Sequence, residues 1–156
     1  MRKHFLIWLH ILMSFSFVSG QEQTMGLFLN DSKSFNGYTL FSALTFTRTY
    51  LLNNDGLLVN SWESDYVPGN SVYLLENGDL LRAADQGGNT TFIAGGDAGR
   101  VEKFDWEGNL IWEFEYSNDQ YRAHHDIEPL PNGNVLILTW ELKSRTEATA
   151  AGRDST

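Results

Sequence analysis

Ser71-Val72-Tyr73-Leu74-Leu75-Glu76-Asn77-Gly78-Asp79-Leu80-Leu81 returns 55 residues later as Asp126-Ile127-Glu128-Pro129-Leu130-Pro131-Asn132-Gly133-Asn134-Val135-Leu136. In both copies an apolar run, a turn dipeptide and a second apolar run follow one another. Asn-Gly between two such runs is a signal for antiparallel strands joined by a two-residue turn, because both central residues need φ > 0. Asp55-Gly56 repeats the signal; Glu107-Gly108 fits it less well and reads as a longer loop. Gly56 and Gly108 lie 52 residues apart, with Tyr50 to Leu52 and Leu57 to Trp62 matching Val101 to Phe104 and Leu110 to Phe114. A unit of four short strands recurring at this interval is the period of a β-propeller blade. The expected fold is therefore all-β, an incomplete β-propeller of about two blades' worth of four-stranded antiparallel sheet. One full blade runs from Ser71 to Tyr116, with half a blade before it (Thr49 to Glu63) and half after it (His125 to Glu141). A propeller takes typically four to eight blades, so residues 21–156 read as the N-terminal part of a longer domain.

The N-terminus stands apart from the repeat. Arg2, Lys3 and His4 precede a mainly apolar stretch from Phe5 to Val18, and Val18-Ser19-Gly20 offers a cleavage site. That order is a secretory signal peptide, residues 1–20, with cleavage after Gly20 and a secreted or periplasmic product. The apolar stretch is shorter than the roughly 20 residues that span a bilayer, so no membrane span is expected after cleavage. The formal charge of the whole chain is −9, and loss of Arg2 and Lys3 makes it more negative. Nucleic acid and anionic membranes demand clustered cations, so neither is an expected partner. No cysteine is present, which excludes disulfides, thiolate metal sites and cysteine nucleophiles.

Trp62, Trp106, Trp112 and Trp140 lie in or beside strands and read as packing between sheets. Near the C-terminus, Ser144-Arg145-Thr146-Glu147 fits a helix capping box, and Gly152 fits the helix end. One short helix is expected there. Gly95-Gly96-Asp97-Ala98-Gly99-Arg100 is glycine-rich but lies between strands, so it reads as a connection rather than a phosphate cradle.

The two copies differ most where the first has Gly69-Asn70-Ser71 and the second has His124-His125-Asp126. The repeat does not need imidazoles at that position, and three uses for them stay open. The first is a ring that caps the strand; the second is a metal ligated with residues from elsewhere, although neighbours in a strand point to opposite faces; the third is a histidine acting on an anionic ester. Asp126 can orient an imidazole if the strand bends. Arg82 and Arg122 are candidates to reach an anion, with solvated surface positions as the default. The candidate catalytic residues are His124 and His125, and the candidate substrate-binding residues are Asp126 and Arg122. No metal or cofactor is expected.

The run from His124 to Leu138, together with Gly99-Arg100-Val101-Glu102, Asp105-Trp106-Glu107-Gly108-Asn109 and Trp112-Glu113-Phe114, resembles the arylsulfotransferase propellers. Tyr38-Thr39-Leu40-Phe41 and Ala151-Gly152-Arg153-Asp154 resemble them too, so the similarity covers residues 26–154. The resemblance implies an exported enzyme that moves a sulfuryl group from an aryl sulfate to a phenol acceptor through a sulfated histidine, without a nucleotide donor. His124 and His125 match the family's first channel histidine, which contacts the sulfuryl group. By the same resemblance the nucleophilic histidine and the channel arginine come later than Thr156, and this chain alone is expected to be inactive. The alternatives are a propeller that binds a ligand or partner without catalysis, and a hydrolase with a channel metal.

Overall fold

The structure, a computed structural model, describes residues 26–154. The expected leader, residues 1–20, lies outside them. Among the described residues nine strands and one helix occur. A first antiparallel sheet holds β1 (Tyr38–Ser42), β2 (Thr49–Asn53) and β3 (Leu58–Trp62). A second holds β4 (Val67–Leu74), β5 (Leu80–Asp85), β6 (Gly99–Phe104) and β7 (Leu110–Glu115), and a third holds β8 (Tyr121–Pro129) and β9 (Val135–Glu141). Strands pair in chain order in every sheet, as short connections require.

The all-β class and the four-stranded middle sheet agree with the expectation, and the first sheet exceeds it. Tyr38–Ser42 pairs with Thr49–Asn53 along its whole length, so three strands stand where two were expected. Leu40 explains the addition, because it packs on the cluster of Leu51, Trp62, Leu80 and Phe104. The first strands of the second and third sheets also begin four residues earlier than expected, at Val67 and Tyr121.

All four glycine turns have one geometry, which differs from the two-residue turn expected of three of them and agrees with the longer loop expected at Glu107-Gly108. The N–H of Gly56, Gly78, Gly108 and Gly133 donates to the carbonyl three residues back, at 2.9 to 3.1 Å. The residue accepting that bond in turn donates its own N–H to the carbonyl four residues on. These are three-residue loops, a tight turn followed by a bulge residue in the left-handed region. Only the glycines, at φ 72 to 89°, occupy that region. Glu107 therefore fits as well as Asn or Asp, and the four turns repeat without an odd member.

The middle sheet buries both faces of β5. Leu80 joins Leu51, Trp62 and Phe104 against the first sheet, while Leu81 and Ala83 join Val101, Ala98, Ala123 and Ile127 against the third. The period of two along a strand sends consecutive residues to opposite cores. Trp62 is 1 % exposed, and its indole N–H donates to the Asp105 carbonyl at 2.7 Å. Arg82 continues the first-sheet side of β5, donating to the Thr47 and Tyr66 carbonyls at 2.8 and 3.0 Å. It lies 3.8 Å from the buried carboxylate of Glu102. Burial lowers the Arg82 pKa and raises that of Glu102, so desolvation outweighs their attraction.

The tail forms α1 (Arg145–Ala150). Ser144 and Glu147 make both bonds of the capping box. Gly152, at φ 98°, ends the helix as Gly152 N–H and Arg153 N–H bond the Thr149 and Ala148 carbonyls.

Replacing Trp62 with Ala should cost about 3–5 kcal/mol through the cavity between the first two sheets. Trp62→Phe, which removes the indole donor but leaves the Asp105 carbonyl its bond from Gly108 N–H, should cost about 1 kcal/mol. Urea unfolding followed by far-UV circular dichroism reads both.

Candidate functional site

The two segments that differ between the repeats fold alike. On β8, Ala123 pairs with Thr139 and the ladder resumes at Ile127 with Ile137. His124, His125 and Asp126 thus stand opposite the single residue Leu138. On β4, Pro68 pairs with Ala84 and the ladder resumes at Val72 with Arg82, leaving Gly69, Asn70 and Ser71 opposite Ala83. Both are bulges at the same place in the repeat. Surplus residues bend a strand and re-aim its side chains, so strict alternation does not govern the histidines.

Their rings meet. The His124 and His125 centroids are 4.4 Å apart at an interplanar angle of 71°, with a hydrogen bond between the two Nδ1 atoms. In a neutral pair one Nδ1 must donate and the other accept. One Nε2 is then a free base and the other carries N–H. The Trp140 ring lies edge-on to His124 at 3.9 Å between centroids and stacks on Phe92 at 6.0 Å. From the β5–β6 connection Gly96 closes on His124 so tightly that a Cβ there would come within 2.7 Å of its Cε1. This enclosure lowers the His124 pKa, first through burial and then through repulsion from His125, against an opposing pull from Asp97. The ring is held neutral at pH 7.

The first copy shows why a glycine stands at the equivalent place. A Cβ on Gly69 would lie 2.7 Å from the Ala98 Cβ and 3.1 Å from both the Ala83 Cβ and the Ala84 nitrogen. That bulge is filled by its own sheet, whereas the second admits an imidazole.

Asp126 is half of a link between the bulges. The Ser71 hydroxyl lies 2.7 Å from Asp126 Oδ1 and 2.8 Å from the His125 carbonyl, and its one proton serves both. Tyr73 O–H donates to Glu128 at 3.2 Å one step along the same two strands. Asp126 therefore has a serine, not an imidazole, as its bonded partner.

Arg122 differs from the solvated default. It is 2 % exposed and donates to Asp85 Oδ1 at 2.9 Å, to the Phe92 carbonyl at 3.3 Å and to the Ala98 carbonyl at 3.4 Å. Asp97 is 3.8 Å away. Arg82 is equally enclosed. Buried carbonyls need donors and a fork of N–H groups supplies several at once, so both guanidinium groups knit segments together. Among the described residues no three His, Cys, Asp or Glu side chains converge as a metal site would need. Two hollows lie elsewhere among the described residues. One, of about 380 Å³, is polar and lined by Gln86, Asn89 and Ser117; the other, of about 960 Å³, is lined by Trp112, Phe114 and Ile137.

A family model described as Arylsulfotransferase (ASST) matches residues 46–155. The chain belongs to the arylsulfotransferase family. No curated protein matches it. The matched arylsulfotransferase segment contains both bulges, the β5–β6 connection and Trp140, so the whole enclosure of His124 lies within it.

Sequence patterns pointed to His124, His125, Asp126 and Arg122, and the fold brings the first three together in one bulge with Arg122 two residues before it. They did not point to Gly96, Phe92 or Ser71, and Trp140 was read as packing. Ser71 alone had a signal, since it occupies the repeat position of Asp126.

Two outcomes follow for the arylsulfotransferase chain. An unfolded His124 takes up a proton near the ordinary value of about 6.5, and the folded one does so lower. Stability should fall as pH drops through that range and level off below the folded value. His124→Gln should flatten this part of the profile in chemical denaturation measured from pH 7.5 to 5. Arg122→Lys, which cannot span carbonyls and carboxylate together, should cost roughly 1–3 kcal/mol. Amide hydrogen exchange should accelerate across residues 86–98.

Proposed function

We propose that the chain supplies the sulfuryl-contacting wall of an exported aryl-sulfate sulfotransferase, as part of a larger β-propeller. The observation that carries this reading is the pair of imidazoles in the bulge of β8, the first strand of its sheet, where the equivalent bulge of the preceding sheet has none. Membership of the arylsulfotransferase family supports the reaction class. Three stacked sheets whose hairpins share one turn geometry suit a propeller, and the basic, apolar N-terminus suits export with cleavage after Gly20.

The reaction needs charge placement more than bond-making machinery. A nucleophilic histidine attacks sulfur, the bond from sulfur to the aryl oxygen breaks, and the phenolate leaves with a proton from a neighbouring acid. A second phenol, losing its proton, then takes the sulfuryl group from the histidine. In the family scheme that nucleophile belongs to a later blade. In this chain an imidazole N–H donates to a sulfuryl oxygen, where negative charge is held through the transition state. With both rings neutral the pair has one such Nε2–H, and the lowered His124 pKa favours that ring's neutral form at pH 7. Arg122 serves the substrate indirectly by holding the connection that encloses His124.

The full-length polypeptide carrying this chain should transfer sulfuryl from 4-nitrophenyl sulfate to phenol, releasing 4-nitrophenolate. His124→Ala and His125→Ala should each lower kcat by about 10²-fold, the scale of losing one transition-state donor. Absence of transfer by the unaltered protein, with retained binding of aryl ligands, would instead mark a non-catalytic binding propeller.

A further inference from the structure

The β5–β6 connection, residues 86–98, is long for a link between adjacent antiparallel strands; Asn89 ties it to Ser117 and Asn118, and its Gly96 end closes on the His124 ring. Gly96 packs on His124, with a hypothetical Cβ at 2.7 Å from Cε1 and 3.2 Å from Nδ1. Phe92 stacks on Trp140, whose ring meets His124 from the other strand. Arg122, itself on β8, donates to the Phe92 and Ala98 carbonyls, which flank Gly96 in the chain. Asp85, at the start of the connection, accepts from Arg122 and from the Gly87 N–H at 2.9 Å each. The connection is thus fastened at both ends and in the middle to the strand that bears His124.

We propose that Gly96 is a positioning residue for His124, that its bare α-carbon and the Trp140 ring form a seat for the imidazole, and that Arg122 latches the connection in place. Any side chain at Gly96 would occupy the space of the ring. Trp140 limits its escape on the other side. His125 and Asp97 are the titratable groups that face the ring, from β8 and from the connection, with Arg122 beside Asp97. The consequence for catalysis rests on the reading of His124 given above; the place of the ring does not.

Glycines of the same connection provide internal controls. Gly96 has φ 86°, so alanine there brings backbone strain as well as a clash. Gly88, at φ 69°, shares the strain, but a Cβ would meet nothing within 4 Å. Gly95 has equally open space and no positive φ. In the 156-residue chain, proton NMR should show that Gly96→Ala raises the His124 titration midpoint towards the ordinary imidazole value. It should also remove the ring-current shift from Trp140, while Gly88→Ala and Gly95→Ala leave both unchanged. An unmoved His124 signal in Gly96→Ala, or the same movement in Gly88→Ala, would overturn the proposal.

A thermal-melt cycle with His124→Ala covers the case in which Gly96→Ala does not fold. With the ring truncated, the added Cβ keeps only its 3.3 Å approach to the His125 Cβ, so Gly96→Ala should lower Tm much less than it does with His124 present. An equal or larger loss in that background would also overturn the seat. In the full-length polypeptide the Gly96→Ala change should lower kcat at least 10-fold. A displaced ring with unaltered transfer would uphold the seat and tell against the sulfuryl reading alone.

Discussion

Strand β5 has no solvent face, and that constraint organises the molecule. Leu80, Leu81, Arg82, Ala83 and Ala84 are all buried in sequence order, which a strand tolerates only with a packed layer on each side. The first and third sheets supply those layers. Arg82 is the exception to apolar burial, and it is held by carbonyl acceptors because an unpartnered guanidinium in that position would be far costlier. Once the middle sheet is covered on both sides, the first strands β4 and β8 lie side by side. Their bulges then come within reach of one serine hydroxyl.

The site follows from that alignment. A strand with regular alternation would send His124 and His125 to opposite faces, and the pair would have no common chemistry. The bulge removes the alternation over three residues while leaving the ladder intact before and after it. Binding the second bulge to the first through Ser71 gives the departure a fixed shape. Enclosure by Gly96 and Trp140, with repulsion from His125, then lowers the His124 pKa against the pull of Asp97, so fold geometry and protonation state have one origin.

Much of the fold was legible because its signals are local. Gly56, Gly78, Gly108 and Gly133 marked the hairpins, although the turns proved one residue longer than the dipeptide suggested. A glycine in the left-handed region serves the bulge position of a three-residue loop as readily as the second position of a tighter turn. The extra strand Tyr38–Ser42 was missed because no glycine turn joins it to Thr49, and only its packing through Leu40 reveals it. The capped helix was legible down to Ser144, Glu147 and Gly152, since capping bonds span three residues.

By itself, the sequence determined the strand runs, the turn positions and the exact-length repeat that pairs Gly69-Asn70-Ser71 with His124-His125-Asp126. Each depends on chemistry within a few neighbouring residues or on the comparison of one copy with the other. Tertiary structure alone decided that Arg122 is buried, that Ser71 holds Asp126 and that Gly96 and Trp140 enclose His124. Those contacts join residues distant in the chain across different strands and sheets. Their distances depend on how the sheets stack and where the bulges fall, which no local pattern encodes.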